Sequence, residues 1–218
     1  MSEGLLGRLR RIVAPPEESA EPRDYQVRLV VGLGNPGEEY AGNRHNVGFR
    51  TINRLARKHG IELSISGQAA LGSGQIGGRE VALAKPRAFV NQSGPVVWNL
   101  IKRLKLDDAA ELLVVHDELD LPPGRIRLRP RGGSGGYKGV QSIIDATHSD
   151  SFPRLRIGIG RPVVNGRPSW EPEHVAAYVL SDPPAAERAV LDDAVARAAA
   201  AIELAISEGI EAAMQRYN

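Results

Sequence analysis

One strand, loop and helix start near the beginning of the chain constrain the fold most strongly. From Val27 to Phe49 the sequence reads V-R-L-V-V-G-L-G-N-P-G-E-E-Y-A-G-N-R-H-N-V-G-F. Its short apolar run stops at Gly32, which is typical of a buried strand in a mostly parallel sheet. Ligands of open α/β sheets bind just outside the carboxyl ends of the strands. The polar residues of the following loop are therefore candidate active-site residues: Asn35, Tyr40, His45 and Asn46.

The rest of the chain alternates helical and strand patterns. Apolar residues at helical spacing predict helices over 46–59, 93–104 and 140–147, and a long Ala-rich helix from Pro183 onward. Apolar runs and alternations predict strands over 62–66, 71–76, 80–84, 112–115, 125–129 and 154–159. This order predicts a single α/β domain with a twisted, mixed and mostly parallel sheet flanked by helices.

Length and composition narrow the class of protein. A chain of 218 residues is long enough for one sizeable core and short for two. Cysteine is absent, which excludes disulfides, thiol catalysis and thiolate metal sites and suits a reducing compartment. No apolar run has the length that a membrane-spanning helix needs. We therefore expect a cytoplasmic protein that does not enter a membrane.

The first 24 residues differ in composition from the rest. A short basic and apolar piece is followed by Pro, Glu and Ser at 15–19, which is typical of a linker. We expect residues 1–24 to form a disordered extension and residues 25–218 to form the domain. A transit peptide or a surface helix is the alternative for the basic piece.

The glycines of the first loop also match a dinucleotide-binding pattern. Gly32, Gly34 and Gly37 have the G-x-G-x-x-G spacing, which needs a helix that opens within the glycines. Here Pro36 interrupts the turn, and the helical pattern begins only near His45. The acidic residue expected after the second strand is also missing. These departures argue against a nucleotide cofactor, and we expect none.

His45 and Asp117 form a candidate catalytic pair. Imidazole titrates near pH ~6.5, which suits a general base. Asp117 lies at the end of a different predicted central strand, where its carboxylate can fix the imidazole tautomer and stabilise imidazolium. Since the chain lacks cysteine and a G-x-S-x-G motif, water is the expected nucleophile. Taken alone, a histidine at a helix start is more often a cap or a surface residue.

Asparagine and tyrosine side chains accompany this pair. Asn35 and Asn91 follow two further strands, and their amides can donate hydrogen bonds to a carbonyl oxygen that gains negative charge. Either asparagine also fits an ordinary turn. Tyr40 fits stacking on a base or covering the core. The convergence of several polar side chains on one crevice favours the functional interpretation.

Three segments of the chain carry a resemblance to a known family. They are G-L-G-N-P-G-x-x-Y-x-x-x-R-H-N-V-G-F at 32–49, K-P-R-A-F-V-N-Q-S-G at 85–94 and V-V-H-D-E-L-D-L-P-P-G at 114–124. In this order they resemble the signatures of bacterial-type peptidyl-tRNA hydrolases. The resemblance runs from about Arg28 to the C-terminal helix and leaves out the first two dozen residues.

The resemblance implies an activity and roles for the residues already singled out. The histidine that matches His45 activates a water that cleaves the ester between a peptide and the 3′ end of tRNA, and the aspartate that matches Asp117 orients it. The asparagines that match Asn35 and Asn91 hold the water and the substrate. Tyr40 and Asn46 complete the expected substrate contacts. The family is monomeric and uses neither metal nor cofactor.

Basic residues are concentrated in one short stretch. Five of them fall within fourteen residues that contain no acid, although the net charge of the chain is only +2: Arg125, Arg127, Arg129, Arg131 and Lys138. Such a stripe predicts contact with a polyanion, and a solvated strand face is the alternative. By resemblance, Arg129 and Arg156 match residues that grip the 5′-terminal phosphate of the tRNA acceptor stem.

One glycine-rich loop departs from the family pattern. Residues Ser134, Tyr137, Lys138 and Gln141 stand where the family has two histidines, an asparagine and a lysine. Our hypothesis is that Lys138 directs a positive charge to the tRNA terminus and lowers the pKa of His45. The departure also keeps open a second class of function, that of a family relative that binds RNA without hydrolysing it, as in plant splicing factors.

Overall fold

The computed structural model describes residues 26–218. The expected extension over residues 1–24 lies outside these residues. In the described part, a seven-stranded sheet has the order β2-β3-β4-β1-β5-β7-β6. Its strands are β1 (Leu29–Gly32), β2 (Ser64–Ser66), β3 (Ala69–Ile76), β4 (Arg79–Pro86), β5 (Leu112–Glu118), β6 (Ile126–Arg129) and β7 (Arg154–Gly158).

Strand pairing is parallel in the centre of the sheet and antiparallel at both edges. Strand β1 pairs in parallel with β4 and β5, and β5 pairs in parallel with β7. The β2–β3, β3–β4 and β6–β7 pairs are antiparallel. Only β3 and β6 therefore run against the common direction, and the predicted mixed, mostly parallel sheet is confirmed.

Helices cover both faces of the sheet. They are α1 (Val47–Lys58), α2 (Ser93–Arg103), α3 (Lys138–Thr147), α4 (Pro172–Val179), α5 (Ala185–Glu208) and α6 (Ile210–Tyr217). A small hairpin of β8 (Val163–Val164) and β9 (Arg167–Pro168) precedes α4. Within residues 26–218, no helix combines the length and the apolar character that crossing a membrane requires.

Alternate residues of the central strands face two separate cores. Leu29, Val31 and Val114 pack with residues of α2 and α3 on one side. Val30 and Val115 pack with residues of α1 and α5 on the other side. Successive side chains of a strand point to opposite faces, so a strand covered on both faces is apolar throughout. This explains the continuous apolar runs in β1 and β5.

The structure differs from the predicted elements in three places. Strand β5 extends to Glu118 instead of ending at Val115, because Asp117 pairs with Ile157 of β7. The long C-terminal helix is divided at Gly209, whose φ of 97° lies outside the helical region. The β8–β9 hairpin and α4 were not predicted, since their segment shows neither strong alternation nor a long helical period.

Candidate active site

The site begins where α1 packs directly on the sheet. Gly48 lies in the first turn of α1, and an added Cβ there would collide with the carbonyl oxygens of Leu33 and Val115. Gly32, the last residue of β1, approaches the backbone of Gly48 equally closely. The Leu33 N–H donates to the Val115 carbonyl over 2.8 Å at the same place. Because neither glycine has a side chain, the start of α1 reaches the carboxyl ends of β1 and β5.

His45 and Asp117 meet at this edge of the sheet. His45 lies in the 3₁₀ helix Arg44–Asn46 that leads into α1, and Asp117 lies near the end of β5. The distance from His45 Nδ1 to Asp117 Oδ1 is 2.9 Å. The side chain of Asp117 is 2% exposed, whereas that of His45 is 15% exposed. The carboxylate is thus shielded from water, and the imidazole keeps access to it.

The surroundings of His45 set its tautomer and the direction of its pKa. Burial lowers the pKa of His45, but the charge of Asp117 and its hydrogen bond outweigh burial and raise the pKa above 6.5. This direction is opposite to the lowering expected from Lys138. A carboxylate only accepts hydrogen bonds, so Nδ1 carries the hydrogen and Nε2 carries the lone pair of the neutral ring.

Two aromatic residues whose contact with the pair was not predicted from the sequence are Tyr137 and His116. The Tyr137 hydroxyl donates to Asp117 Oδ1 over 2.7 Å. The Tyr137 and His116 ring centroids are 4.4 Å apart, and His116 Nδ1–H donates to the Asp117 backbone carbonyl over 2.7 Å. Burial lowers the pKa of His116 and keeps its ring neutral. The departure of Tyr137 from the family pattern was the only signal in the sequence that marked this position.

Two asparagines form a framework beside the pair. The Asn46 side chain accepts from the Asn35 N–H over 2.8 Å and donates to the Asn35 carbonyl over 3.0 Å. The Asn35 side-chain oxygen accepts from the Val90 N–H over 3.0 Å, which leaves its NH₂ group as the end that can donate elsewhere. Asn46 is 2% exposed with both ends of its amide engaged. The geometry shows that Asn46 supports Asn35, and its expected contact with substrate stays a prediction.

The loop after β1 does not open a helix at its glycines. Gly37 has a φ of 121° and precedes a short 3₁₀ helix, Glu38–Tyr40, and α1 starts only at Val47. The helix N-terminus that a pyrophosphate would need is absent from the glycine segment.

Tyr40 is half-buried, and its hydroxyl has no hydrogen-bond partner within residues 26–218. Across the same residues, no group of three or more His, Asp or Glu side chains is placed to share a metal ion.

A shallow cavity of about 440 Å³ lies between the starts of α2 and α3. Its lining residues include the sequence-predicted Asn91 and Lys138, with Pro95, Gln141, Ser142, Asp145 and Ala146 completing the wall. Both Asn91 and Lys138 are exposed. Asn91 follows Val90, which is bonded to Asn35, and Lys138 follows Tyr137, which is bonded to Asp117. The cavity is thus next in sequence to Val90, which holds Asn35, and to Tyr137, which holds Asp117.

Four arginines from β6 and β7 share one face of the sheet, and we call this set the arginine face. Arg127 pairs with Arg156, and Arg129 pairs with Arg154. The Arg156 guanidinium donates to Glu118 over 3.0 Å, whereas Arg127 and Arg129 have no hydrogen-bonding or ion-pair partner among the described residues. Burial, Arg127 and Arg156 lower the pKa of Arg129. Like charges directly opposite each other in a sheet are destabilising.

Arg154 is the buried member of the arginine face and holds the loop that follows β6. Its guanidinium donates to the Gly133 carbonyl over 2.8 Å and to the Asp150 carbonyl over 3.1 Å. It also stacks over the Phe152 ring at 4.5 Å from the centroid. Burial lowers the pKa of Arg154 to about 10. Arg154 therefore supports the backbone of the glycine-rich loop, a role that no sequence motif indicated.

Comparison with known proteins supports the resemblance that the three sequence segments carry. The profile of the peptidyl-tRNA hydrolase family matches residues 29–218. The chain is 47% identical over 191 residues to the peptidyl-tRNA hydrolase of Chloroflexus aggregans, covering 87% of this chain and 98% of that protein. It is 44% identical to the enzyme of Syntrophomonas wolfei over 193 residues, covering 88% of this chain and all of that protein.

A solved structure agrees as well. The crystal structure of peptidyl-tRNA hydrolase from Acinetobacter baumannii superimposes with a TM-score of 0.82 at 37% identity, covering 89% of this chain and 95% of that chain. Sequence, family profile and three-dimensional fold thus point the same way. The chain belongs to the peptidyl-tRNA hydrolase family.

Proposed function

We propose that this protein hydrolyses the ester bond between a peptide and the 3′ end of tRNA, with His45 activating a water molecule. The observation that carries the proposal is the hydrogen bond of 2.9 Å between His45 Nδ1 and the buried Asp117 carboxylate. It leaves the Nε2 lone pair as the basic end of an imidazole that reaches solvent. This is the arrangement that a general base needs.

The hydrolytic steps follow from these roles. Nε2 of His45 takes a proton from water while the water oxygen attacks the ester carbonyl carbon. Asp117 stays ionised and stabilises the imidazolium that forms. When the tetrahedral intermediate collapses, the bond to the 3′ ribose oxygen breaks and this oxygen receives the proton from Nε2. The products are a peptide with a free carboxyl group and a tRNA with a free 3′ end.

Two asparagines are suited to hold the substrate during this reaction. The Asn35 NH₂ group is the free end of an amide whose oxygen is fixed by Val90 and whose backbone is fixed by Asn46. A donor held in this way can meet a developing oxyanion without reorganising. Asn91 follows Val90 and lies exposed on the cavity, where we expect it to contact the peptide portion of the substrate.

The arginine face supports binding of the tRNA acceptor stem. Arg127 and Arg129 lie beside further arginines without an acidic partner of their own, so a phosphate would relieve mutual repulsion. A guanidinium can also bond phosphate oxygens in pairs. Arg156, the other residue assigned to the tRNA, is engaged with Glu118 and would contribute charge at the edge of this face.

The setting of the reaction follows from the substrate and the site. Ribosomes release peptidyl-tRNA in the cytoplasm, and we propose that the protein acts there. We also propose that the protein acts as a monomer, as the family resemblance implies.

Release of peptide from a model peptidyl-tRNA tests the proposal. We expect the parent to release peptide and His45→Ala to be slower by roughly 10²–10⁴-fold, the usual contribution of a general base. His174→Ala is the matched control, since His174 is an exposed histidine on α4 that contacts Ser169. A parent that binds tRNA without turnover, or a His45→Ala variant with the parent rate, would contradict the proposal.

A further inference from the structure

We propose that Tyr137 is a positioning residue that shares the Asp117 carboxylate with His45 and thereby limits how basic His45 becomes. The inference rests on the proposed function, in which His45 must lose its proton near neutral pH to act as a base. It concerns a residue that departs from the histidine that the family resemblance predicts at this place.

The geometry puts two donors on one carboxylate oxygen. The Tyr137 hydroxyl lies 2.7 Å from Asp117 Oδ1, and His45 Nδ1 lies 2.9 Å from the same atom. A second donor takes up part of the negative charge that would otherwise act on imidazolium. Because Asp117 is almost fully buried, water offers little compensation for a lost donor. A change in the strength of the Tyr137 hydrogen bond should therefore change the pKa of His45.

The position of Tyr137 is fixed from several sides. Its ring centroid is 4.4 Å from that of His116 and 5.6 Å from that of His45. The titratable groups that face it are Asp117, His116 and Glu118 from β5 and His45 from the start of α1. Burial lowers the pKa of His116, and Glu118 is paired with Arg156 on β7. Asp117 is therefore the anion that the hydroxyl contacts directly.

A tyrosine at this place behaves differently from a histidine. Burial, with the charges of Asp117 and Glu118, raises the pKa of Tyr137 well above 10, so the hydroxyl keeps its hydrogen wherever His45 titrates. A histidine, in contrast, is the side chain that changes its charge most readily near neutral pH. The two imidazoles would then repel each other when both are charged. Tyr137 thus gives Asp117 a donor whose charge does not change with pH.

Nuclear magnetic resonance titration of the His45 ring in the full-length protein tests this role without substrate. The His45 signal is identified by its loss in His45→Gln. In Tyr137→Phe, which keeps the ring and removes the hydroxyl, we expect the pKa of His45 to rise by about 0.5–1 pH unit. The acidic limb of kcat/KM should move upward by the same amount. Tyr178→Phe is the control, since its hydroxyl donates to the Ile159 carbonyl and not to Asp117.

A second variant tests the same role even if Tyr137→Phe does not fold. Site-specific 3-fluorotyrosine at position 137 has nearly the same shape but a more acidic hydroxyl, and this stronger donor should lower the pKa of His45. An unchanged His45 pKa in both variants would overturn the inference and leave Tyr137 as a purely structural contact. If the His45 pKa shifts but no variant, the parent included, hydrolyses peptidyl-tRNA, the coupling of Tyr137 to His45 stands and the proposed function fails.

Discussion

The variant Gly48→Ala tests whether the close approach of α1 to the sheet brings His45 into contact with Asp117. The added Cβ would face the carbonyl oxygens of Leu33 and Val115 and lie 2.7 Å from the Leu33 nitrogen. The Leu33 nitrogen and the Val115 oxygen are joined by a hydrogen bond of 2.8 Å, so these two atoms cannot move apart from each other freely. Helix α1 must therefore retreat from the sheet.

The structure gives the size of this retreat. Ordinary Cβ contacts begin at 3.4 Å, so relief of the 2.7 Å approach alone needs the difference between them, about 0.7 Å, and the carbonyl oxygens require more. His45 lies three residues before Gly48 and moves with it, which stretches its 2.9 Å contact with Asp117 past the ~3.2 Å limit of a good hydrogen bond. A misplacement of about 1 Å costs roughly 10²-fold in rate. Overpacking should also lower the free energy of unfolding by ~1–3 kcal/mol.

Gly60→Ala provides the matched control. Gly60 follows the end of α1 with a φ of +65°, and an added Cβ there meets nothing within 4 Å. The strain of an L-residue in this region costs ~1–2 kcal/mol but leaves His45 where it is. We expect both variants to unfold at lower denaturant concentration and only Gly48→Ala to lose kcat/KM for peptidyl-tRNA. If Gly48→Ala keeps the parent kcat/KM while folded, close packing at Gly48 does not position the base.

Three further predictions concern charge at the site. In Asp117→Asn, the carboxylate that raises the pKa of His45 is gone and burial remains, so the acidic limb of kcat/KM should move to lower pH while kcat falls by roughly 10²–10⁴-fold; a limb that stays in place would refute this. Arg129→Gln should weaken tRNA binding and reduce the slope of log Kd against log salt concentration by about 1. Arg54 is exposed on α1, and Arg54→Gln should change neither quantity. Lys138→Asn should weaken tRNA binding without moving the acidic limb, since burial and Asp117 set the pKa of His45; unchanged affinity would remove Lys138 from the tRNA site.

Much of the fold could be predicted because its signals are local. Apolar runs and glycines mark β1 and β5, and the helical period after His45 marks α1 within one residue at each end. The end of β5 could not be read from its own residues, since pairing with β7 extends the strand through polar positions. The break at Gly209 was missed because the apolar period continues across it.

The candidate site shows the same division. The sequence pointed to His45 and Asp117 because imidazole and carboxylate at two strand ends suggest one kind of chemistry, and the fold brings them within 2.9 Å. The contact of Asn46 with the Asn35 backbone was not predicted, because an amide looks the same in a sequence whether it supports a loop or contacts a ligand. The partner of Tyr137 depends on how the glycine-rich loop folds over β5, which no local pattern encodes.

The two helical layers of the protein contribute different residues to the proposed reaction. The base is attached to α1 in one layer, whereas Asn91 and Lys138, which face the cavity, are attached to α2 and α3 in the other. Under the proposed function, substitutions in the second layer should change which nucleotides and peptides are bound without disturbing the His45–Asp117 pair. Substitutions of Tyr137 are the exception, because its ring packs in the second layer and its hydroxyl contacts Asp117, the partner of His45.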